Sequence, residues 1–314
     1  MYMPALKNKQ GELRALQQAE LDNIKNILPL LQINEATEDV LAKISSKYKG
    51  KFLIDTRELE GSDIKYLHQL ISDNDAFDKI SIAFPASLLE SEGVLSELGS
   101  IDYIEINKDY LENPFFISWL KLHTSLIPNN IILDLGYVDN NYLQEDLELI
   151  MSFLTIFKNT SKNVFILSGS IPAIIPTKST ENYECPRFDY KLFKFTLDNC
   201  SQDSELSNLE IIFGDYTTVS PIPIDYTDKK IVSNVQIKYT TSDKYILVRN
   251  GQRKGNYNLS EVCEEIVNFS SFNKTHCWAD KYIADLRDST DINRGNPSTW
   301  ASLGIEHHIV LCAE

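Results

Sequence analysis

Short runs of Ile, Leu, Val, Phe and Tyr alternate along this chain with longer stretches in which apolar residues recur every three or four positions. The short runs fall at residues 2–7, 27–32, 51–57, 79–84, 102–107, 130–136, 163–168 and 209–215. Most end at a polar residue, Gly or Pro, which is how buried strands read. Between them, residues 11–25 place Leu13, Leu16, Leu21 and Ile24 near one stripe, and residues 35–48 carry Val40, Leu41 and Ile44. Ser62 is placed to cap a helix holding Ile64, Leu67 and Ile71. Residues 143–157 give the clearest helical period, through Leu143, Leu147, Ile150, Met151 and Leu154. Weaker helical signals lie within 113–125 and 188–197.

Strands that alternate with helices pair in parallel, because each crossover helix returns the chain to the same end of the sheet. Eight such runs before Tyr216 predict an α/β fold, a (β/α)8 TIM-barrel-like core over residues 1–220. An open doubly wound sheet is the rival, but no G-x-G-x-x-G or P-loop follows any run. After Tyr216 the pattern changes. Residues 220–230 read as a loop, and 235–240 with 244–250 read as a β-hairpin turning at 241–243. Residues 259–269 and 277–286 read as helices, and 307–312 as a closing strand. Residues 221–314 are therefore expected as a C-terminal β-hairpin/helix extension, packed on the barrel and completing one domain.

Composition narrows the function classes. Acidic residues outnumber basic ones 45 to 30, for a formal charge of −15 over 314 residues. That balance disfavours a broad nucleic-acid surface and an anionic membrane surface, both of which need clustered Lys and Arg. Five cysteines without C-x-x-C spacing fit free thiols in a reducing compartment. With no signal-like opening segment and no membrane-length apolar run, a cytoplasmic location is expected.

Side chains two apart on a strand share a face, so several strand ends send polar groups the same way. Lys7 pairs with Lys9, Asp55 with Arg57, Glu105 with Asn107, Ser168 with Ser170, and Asp215 with Thr217, while Asp134 stands alone. In a barrel, strand C-termini form one rim, where active sites of such folds lie. Asp55, Glu105, Asp134 and Asp215 are expected to face Lys7 and Arg57 there. Close carboxylates suit Mg²⁺ or Mn²⁺, with Asp134 and Asp215 the expected metal pair, or divide into an acid and a base. Lys7 and Arg57 suit a phosphate or carboxylate. A salt-bridge network plugging the mouth is the competing reading. On a closing strand His307 and His308 would face opposite ways, leaving one of them for the rim. His276–Cys277 and Cys312 lack paired zinc spacing, and Trp278, Trp300, Tyr239 and Tyr245 read as packing residues. LSGSIP is no nucleophile elbow.

Four segments occur together in a familiar order: YMPALKNKQGE at residues 2–12, FGDY at 213–216, IKYTT at 237–241 and WASLGIEHHI at 300–309. Together they resemble the phage-type beta protein family. Two places depart from its pattern: an Arg-Gly is here Arg249-Asn250-Gly251, and a Ser-Trp-Gly-Asp is Cys277-Trp278-Ala279-Asp280. The larger residues at glycine positions put a tight backbone–ligand contact there in doubt. The resemblance implies a setting in phages, prophages and bacterial mobile or defence regions, without a defined activity. It points to Lys7, Glu12, Asp215, Tyr216, Arg249, Asp280, Trp300, His307 and His308. Three functions follow as expectations. One is a binding or sensing component in phage–host conflict that engages a phage or host protein through the charged rim. Another is a metal-dependent hydrolase of a phosphate-containing small molecule or nucleic-acid end. The last is an acidic antitoxin or immunity-type partner masking a basic protein.

Overall fold

Strands β1 (Tyr2–Lys7), β2 (Leu30–Gln32), β3 (Phe52–Asp55), β4 (Ile80–Pro85), β5 (Tyr103–Asn107), β6 (Asn130–Tyr137) and β7 (Asn163–Gly169) pair in parallel in sequence order. After a strand β8 (Tyr183–Pro186) that leaves the barrel, β9 (Glu210–Asp215) pairs with both β7 and β1 and closes the ring. The computed structural model describes residues 1–90, 101–223, 235–251, 259–288 and 295–314. Its architecture is a closed eight-stranded parallel barrel with alternating helices, the TIM-barrel-like fold expected from the alternation.

The period of two decides what each residue does. Met3, Ala5, Leu30, Leu53, Ile132, Phe165 and Ile212 turn inward and fill the lumen, so the barrel is a packed core. Their neighbours Leu6, Leu31, Ile54, Ile131, Ile166 and Phe213 turn outward against the helices. Helix α1 (Gln10–Leu21) answers with Leu13, Ala15, Leu16 and Ala19. Helix α2 (Glu38–Lys47) is capped by the Thr37 side chain, with Glu38 and Asp39 in its first turn and Lys47 in its last, which complements its dipole. Helix α3 (Gly61–Ser72) starts two residues earlier than expected, with Glu60 rather than Ser62 at the cap. Helices α4 (Lys108–Glu112) and α5 (Pro114–Leu122) meet at Asn113, whose side chain accepts from Phe115 and Phe116 while Pro114 opens α5. Helices α6 (Leu143–Leu154) and α7 (Phe188–Gln202) complete the described outer layer of the barrel.

The chain beyond the barrel forms a second layer. Strands β10 (Gln236–Thr240) and β11 (Lys244–Arg249) make the expected hairpin, and β11 pairs antiparallel with β8. The short, proline-ended β8 was not expected as a strand, and it draws the small sheet out of the barrel's own β7–α7 connection. Helices α8 (Leu259–Val267), α9 (Trp278–Asp288) and α10 (Pro297–Ala313) pack on this sheet around Tyr239, Trp300 and Leu303. Residues 224–230 of the expected loop lie outside the described residues.

Residues 307–312 are not a closing strand: they are the last turns of α10. Every residue from Ser302 to Val310 is buried, so the helix is covered on all sides and carries no apolar stripe. An evenly apolar run has no period to distinguish helix from strand. The start of α10 did carry a signal, since Asn296 caps Thr299 and Pro297 occupies the first turn. Among the described residues, no helix is long and apolar enough to cross a membrane.

Helix α10 lies close to its neighbours because two glycines permit it. A Cβ on Gly11 of α1 would stand 2.7 Å from the Ser298 carbonyl oxygen, and one on Gly304 would run into the Lys238 carbonyl oxygen of β10. Gly304→Ala gains about 1 kcal/mol of helix propensity but overpacks against backbone at a cost of roughly 1–3 kcal/mol. With a rigid carbonyl as the obstacle, the cost is expected to win. Thermal unfolding should show a lower Tm for Gly304→Ala and little change for Gly61→Ala, whose added Cβ meets only Leu88 Cδ2 at 3.9 Å.

Candidate functional site

At the C-terminal mouth of the barrel, inward parity brings Asp55, Glu105 and Asp134 together around one guanidinium. Arg57 places Nε 2.7 Å from Asp55 Oδ2, Nη2 2.9 Å from Glu105 Oε1 and Nη1 2.9 Å from Asp134 Oδ2. Asp55 also accepts the Arg57 backbone N–H at 3.0 Å, so the residue is anchored at both ends. Tyr216, the residue after β9, donates its hydroxyl to Asp134 at 2.6 Å and accepts from Arg57 Nη1 at 3.0 Å. All three carboxylates are at least nine-tenths buried, while the Arg57 side chain keeps 29% of its surface exposed.

Burial pushes Asp55 and Glu105 up from their ordinary range, neighbouring carboxylates add to the rise, and Arg57 opposes it. Arg57 is itself held more firmly protonated, chiefly by Glu105 and Asp134, against the opposing effect of burial. One guanidinium cannot neutralise three carboxylates, so the ring favours a proton on Asp55 or Glu105, the two that burial shifts upward.

A cleft with an empty volume of about 530 Å³ opens beside this ring, lined by Lys7, Glu12, Gln32, Asp55, Arg57 and Tyr216 among others. Lys7 shares the inward parity of Met3 and Ala5, and its backbone N–H donates to the Glu12 carboxylate from the first turn of α1. Burial pushes Glu12 up to about 7, a rise that the Lys7 N–H and the charges of Lys9 and Lys7 oppose. A broader hollow of about 1110 Å³ adjoins, lined by Lys7, Lys9 and Lys238. Lys238 donates to the Thr218 carbonyl at 2.6 Å, and burial brings its ammonium down to about 8. Among the described residues, the side-chain ammoniums of Lys7 and Lys9 have no ion-pair or hydrogen-bond partner.

Asp215 does not join this ring. It shares the parity of Phe213, not of Tyr216, and so faces outward through the barrel wall. The expected metal pair of Asp134 and Asp215 is thus split between opposite faces. Asp215 instead accepts from Tyr2 Oη at 2.6 Å and from His308 Nε2 at 2.8 Å, with Arg187 Nη2 at 3.6 Å. Tyr245 donates to Asp189 at 2.8 Å, Asp189 meets Ser170, and Cys312 Sγ lies 3.0 Å from Arg187 Nη2. The Thr217 N–H also reaches Asp215, at 2.8 Å, holding Thr217 at φ 53°, a left-handed conformation costly for a β-branched residue.

The remaining predicted residues sit elsewhere. Adjacent residues on a helix diverge, so His307 turns toward Asp280 of α9, 3.2 Å away, while His308 turns to the barrel. Arg249 donates to the carbonyls of Lys178 and Glu181 and to Thr177, clamping that loop. Trp300 is core of the extension, and Tyr239 and Tyr245 are buried and stack on His307 and His308. Arg187, Asp189, Lys238 and Tyr2 were missed as polar-site residues. Only Tyr2 carried a signal, its outward parity with Leu6.

Burial alone would lower the His308 pKa, but Asp215 raises it to about 10. Asp215 is held below its ordinary range by His308 despite its own burial. A raised folded-state pKa stabilises fully below the unfolded value near 6.5 and loses that contribution as pH rises through the folded value. Wild type should therefore exceed His308→Gln by about 3–5 kcal/mol at pH 6, the cost of breaking a buried pair. The gap should shrink as pH rises from 6.5 to about 10. Urea denaturation of both proteins across that range measures it, and a constant gap contradicts the ion pair.

None of the curated proteins compared matches this chain. The family model described as Beta protein matches residues 117–313. That span is more than half of the chain and holds Asp134, Asp215, Tyr216 and the described extension with both of its α10 histidines. On that match the chain belongs to the Beta protein family.

Proposed function

We propose that the barrel mouth binds a small anionic molecule, a phosphate or carboxylate, and that the protein acts as a binding or sensing component. The observation that carries this reading is the placement of cations. Arg57 already fills the space among Asp55, Glu105 and Asp134 that a divalent ion would take. Lys7 lines the cleft beside it and Lys9 the adjoining hollow, both without partners among the described residues. Lys7 lines the cleft with the partly exposed Arg57 and joins Lys9 in the adjoining hollow, which gathers positive charge there for an anion. Glu12, near neutrality at about 7, can hand a proton to or take one from a ligand there. A metal-dependent hydrolase using these carboxylates would have to expel Arg57 first. The setting in phage–host conflict is drawn from the resemblance to phage-type beta proteins.

A thermal-shift series with inorganic phosphate, nucleotides, sugar phosphates and dicarboxylates tests the reading. A ligand at 100 times its Kd stabilises by about 2.7 kcal/mol, a Tm rise of several degrees. That rise should vanish in Lys7→Gln/Lys9→Gln, while the unliganded Tm of the variant stays near wild type because neither ammonium has an ion-pair or hydrogen-bond partner among the described residues and no new charge is introduced. No shift from any anion, or a shift that survives in the double variant, overturns the proposal. Stabilisation by Mg²⁺ or Mn²⁺ with phosphoester hydrolysis would favour the hydrolase instead. In a phage-challenged culture expressing the chain, the double variant should lose whatever change in plaque number the wild type produces.

A further inference from the structure

The second buried cluster of the extension is unrelated to the mouth and contains a conflict that protein atoms alone do not resolve well. His307 Nε2 lies 2.8 Å from the Thr240 carbonyl oxygen. A carbonyl only accepts, so this nitrogen carries the proton. In neutral histidine Nδ1 is then a bare lone pair. Yet Nδ1 points at Asp280 Oδ2, 3.2 Å away, with Cys277 Sγ at 3.9 Å. Two acceptors facing each other in a buried site require a cation between them, either a proton or a metal ion.

The surroundings favour the metal. One donor atom each from His276, Cys277, Asp280 and His307 all lie within 4.8 Å of one another. Ligands about 2.0–2.3 Å from a tetrahedral zinc lie roughly 3.3–3.8 Å apart, close to the two separations above. Among the described residues His276 Nε2, which is buried, has no hydrogen-bond partner, while its Nδ1 stands 3.6 Å from Glu314 Oε1. Glu306, wholly buried next to Cys277, also leaves Oε1 without a hydrogen-bond partner among the described residues. The outer contacts are those that orient metal ligands: the Thr240 carbonyl on His307, Tyr239 Oη on Asp280 at 3.1 Å, and the Tyr239 ring stacked on His307 at 4.0 Å. The neighbouring Asp215–His308–Cys312 group differs, because Arg187 already supplies a cation there.

We infer that His276, Cys277, Asp280 and His307 form a structural zinc site that ties α9 to α10. Two imidazoles, a thiolate and a carboxylate make a mixed N/S/O set suited to Zn²⁺, and four protein ligands leave no open position for catalysis.

The test uses the full chain, with any affinity tag removed. Metal analysis after growth with zinc should find about one Zn²⁺ per chain. Dialysis against a chelator should lower the Tm, and added Zn²⁺ should restore it. Substituted Co²⁺ should give the intense d–d bands of a tetrahedral site and a thiolate-to-cobalt charge-transfer band. Cys277→Ser should lose the charge-transfer band and bind Zn²⁺ at least tenfold more weakly. Failure of wild type to hold Zn²⁺ or Co²⁺ in stoichiometric amount overturns the site and leaves a protonated His307–Asp280 pair. A charge-transfer band that persists in Cys277→Ser overturns the ligand assignment. Anion binding at the mouth is read separately and can fail without touching this result.

Discussion

Charges buried between the barrel wall and helix α10 lose several kcal/mol of hydration per ion unless partners replace the water. Asp215 and His308 are both wholly buried at that junction, and each completes the other. Tyr2 adds a donor from β1, and Arg187 a cation from the start of α7. The guanidinium carbon also lies over aromatic rings, with the centroids of Tyr190, Phe213 and Tyr245 all within 6 Å of it. Strand β1, the start of α7 and the last helix thus converge on one carboxylate at the end of β9. Removing one partner strands the others, so the arrangement of the second layer on the first depends on this group of residues.

The two layers were not equally legible. The barrel strands announce themselves through short apolar runs, and Leu143, Leu147, Ile150 and Leu154 give α6 a clean helical period. Lumen and wall were also readable, since Ile132 and Asp134 share one parity while Phe213 and Asp215 share the other. Treating every strand-end carboxylate as rim-facing overlooked that second parity. Helix α10 was hidden for a different reason: a segment buried on all sides has no polar face to reveal its period. The convergence of His276, Cys277 and Asp280 on His307 was unreadable, because it arises from the packing of α9 against α10 and not from spacing along the chain.

At the mouth, the physical question is which cation satisfies the carboxylates. A guanidinium supplies directional donors in a fixed plane, and here Arg57 addresses a different carboxylate with each of its nitrogens. Those contacts occupy its three nitrogens, and the side chain still keeps 29% of its surface exposed where it lines the cleft. Barrel stability and the proposed anion binding are therefore compatible readings of these residues. The same ion pairs that seal the lumen hold a positive group rigidly beside Lys7.

Asp215 and Tyr216 are consecutive, and their side chains leave the chain on opposite sides of the barrel wall. One peptide bond therefore joins the inner ring of Arg57 to the outer group of His308. The extension cannot be transplanted onto another barrel, or trimmed from this one, without rewriting the residue next to the mouth. A lineage that altered the pocket would be obliged to alter the helix behind it, so the two layers are expected to change together as a single inherited piece.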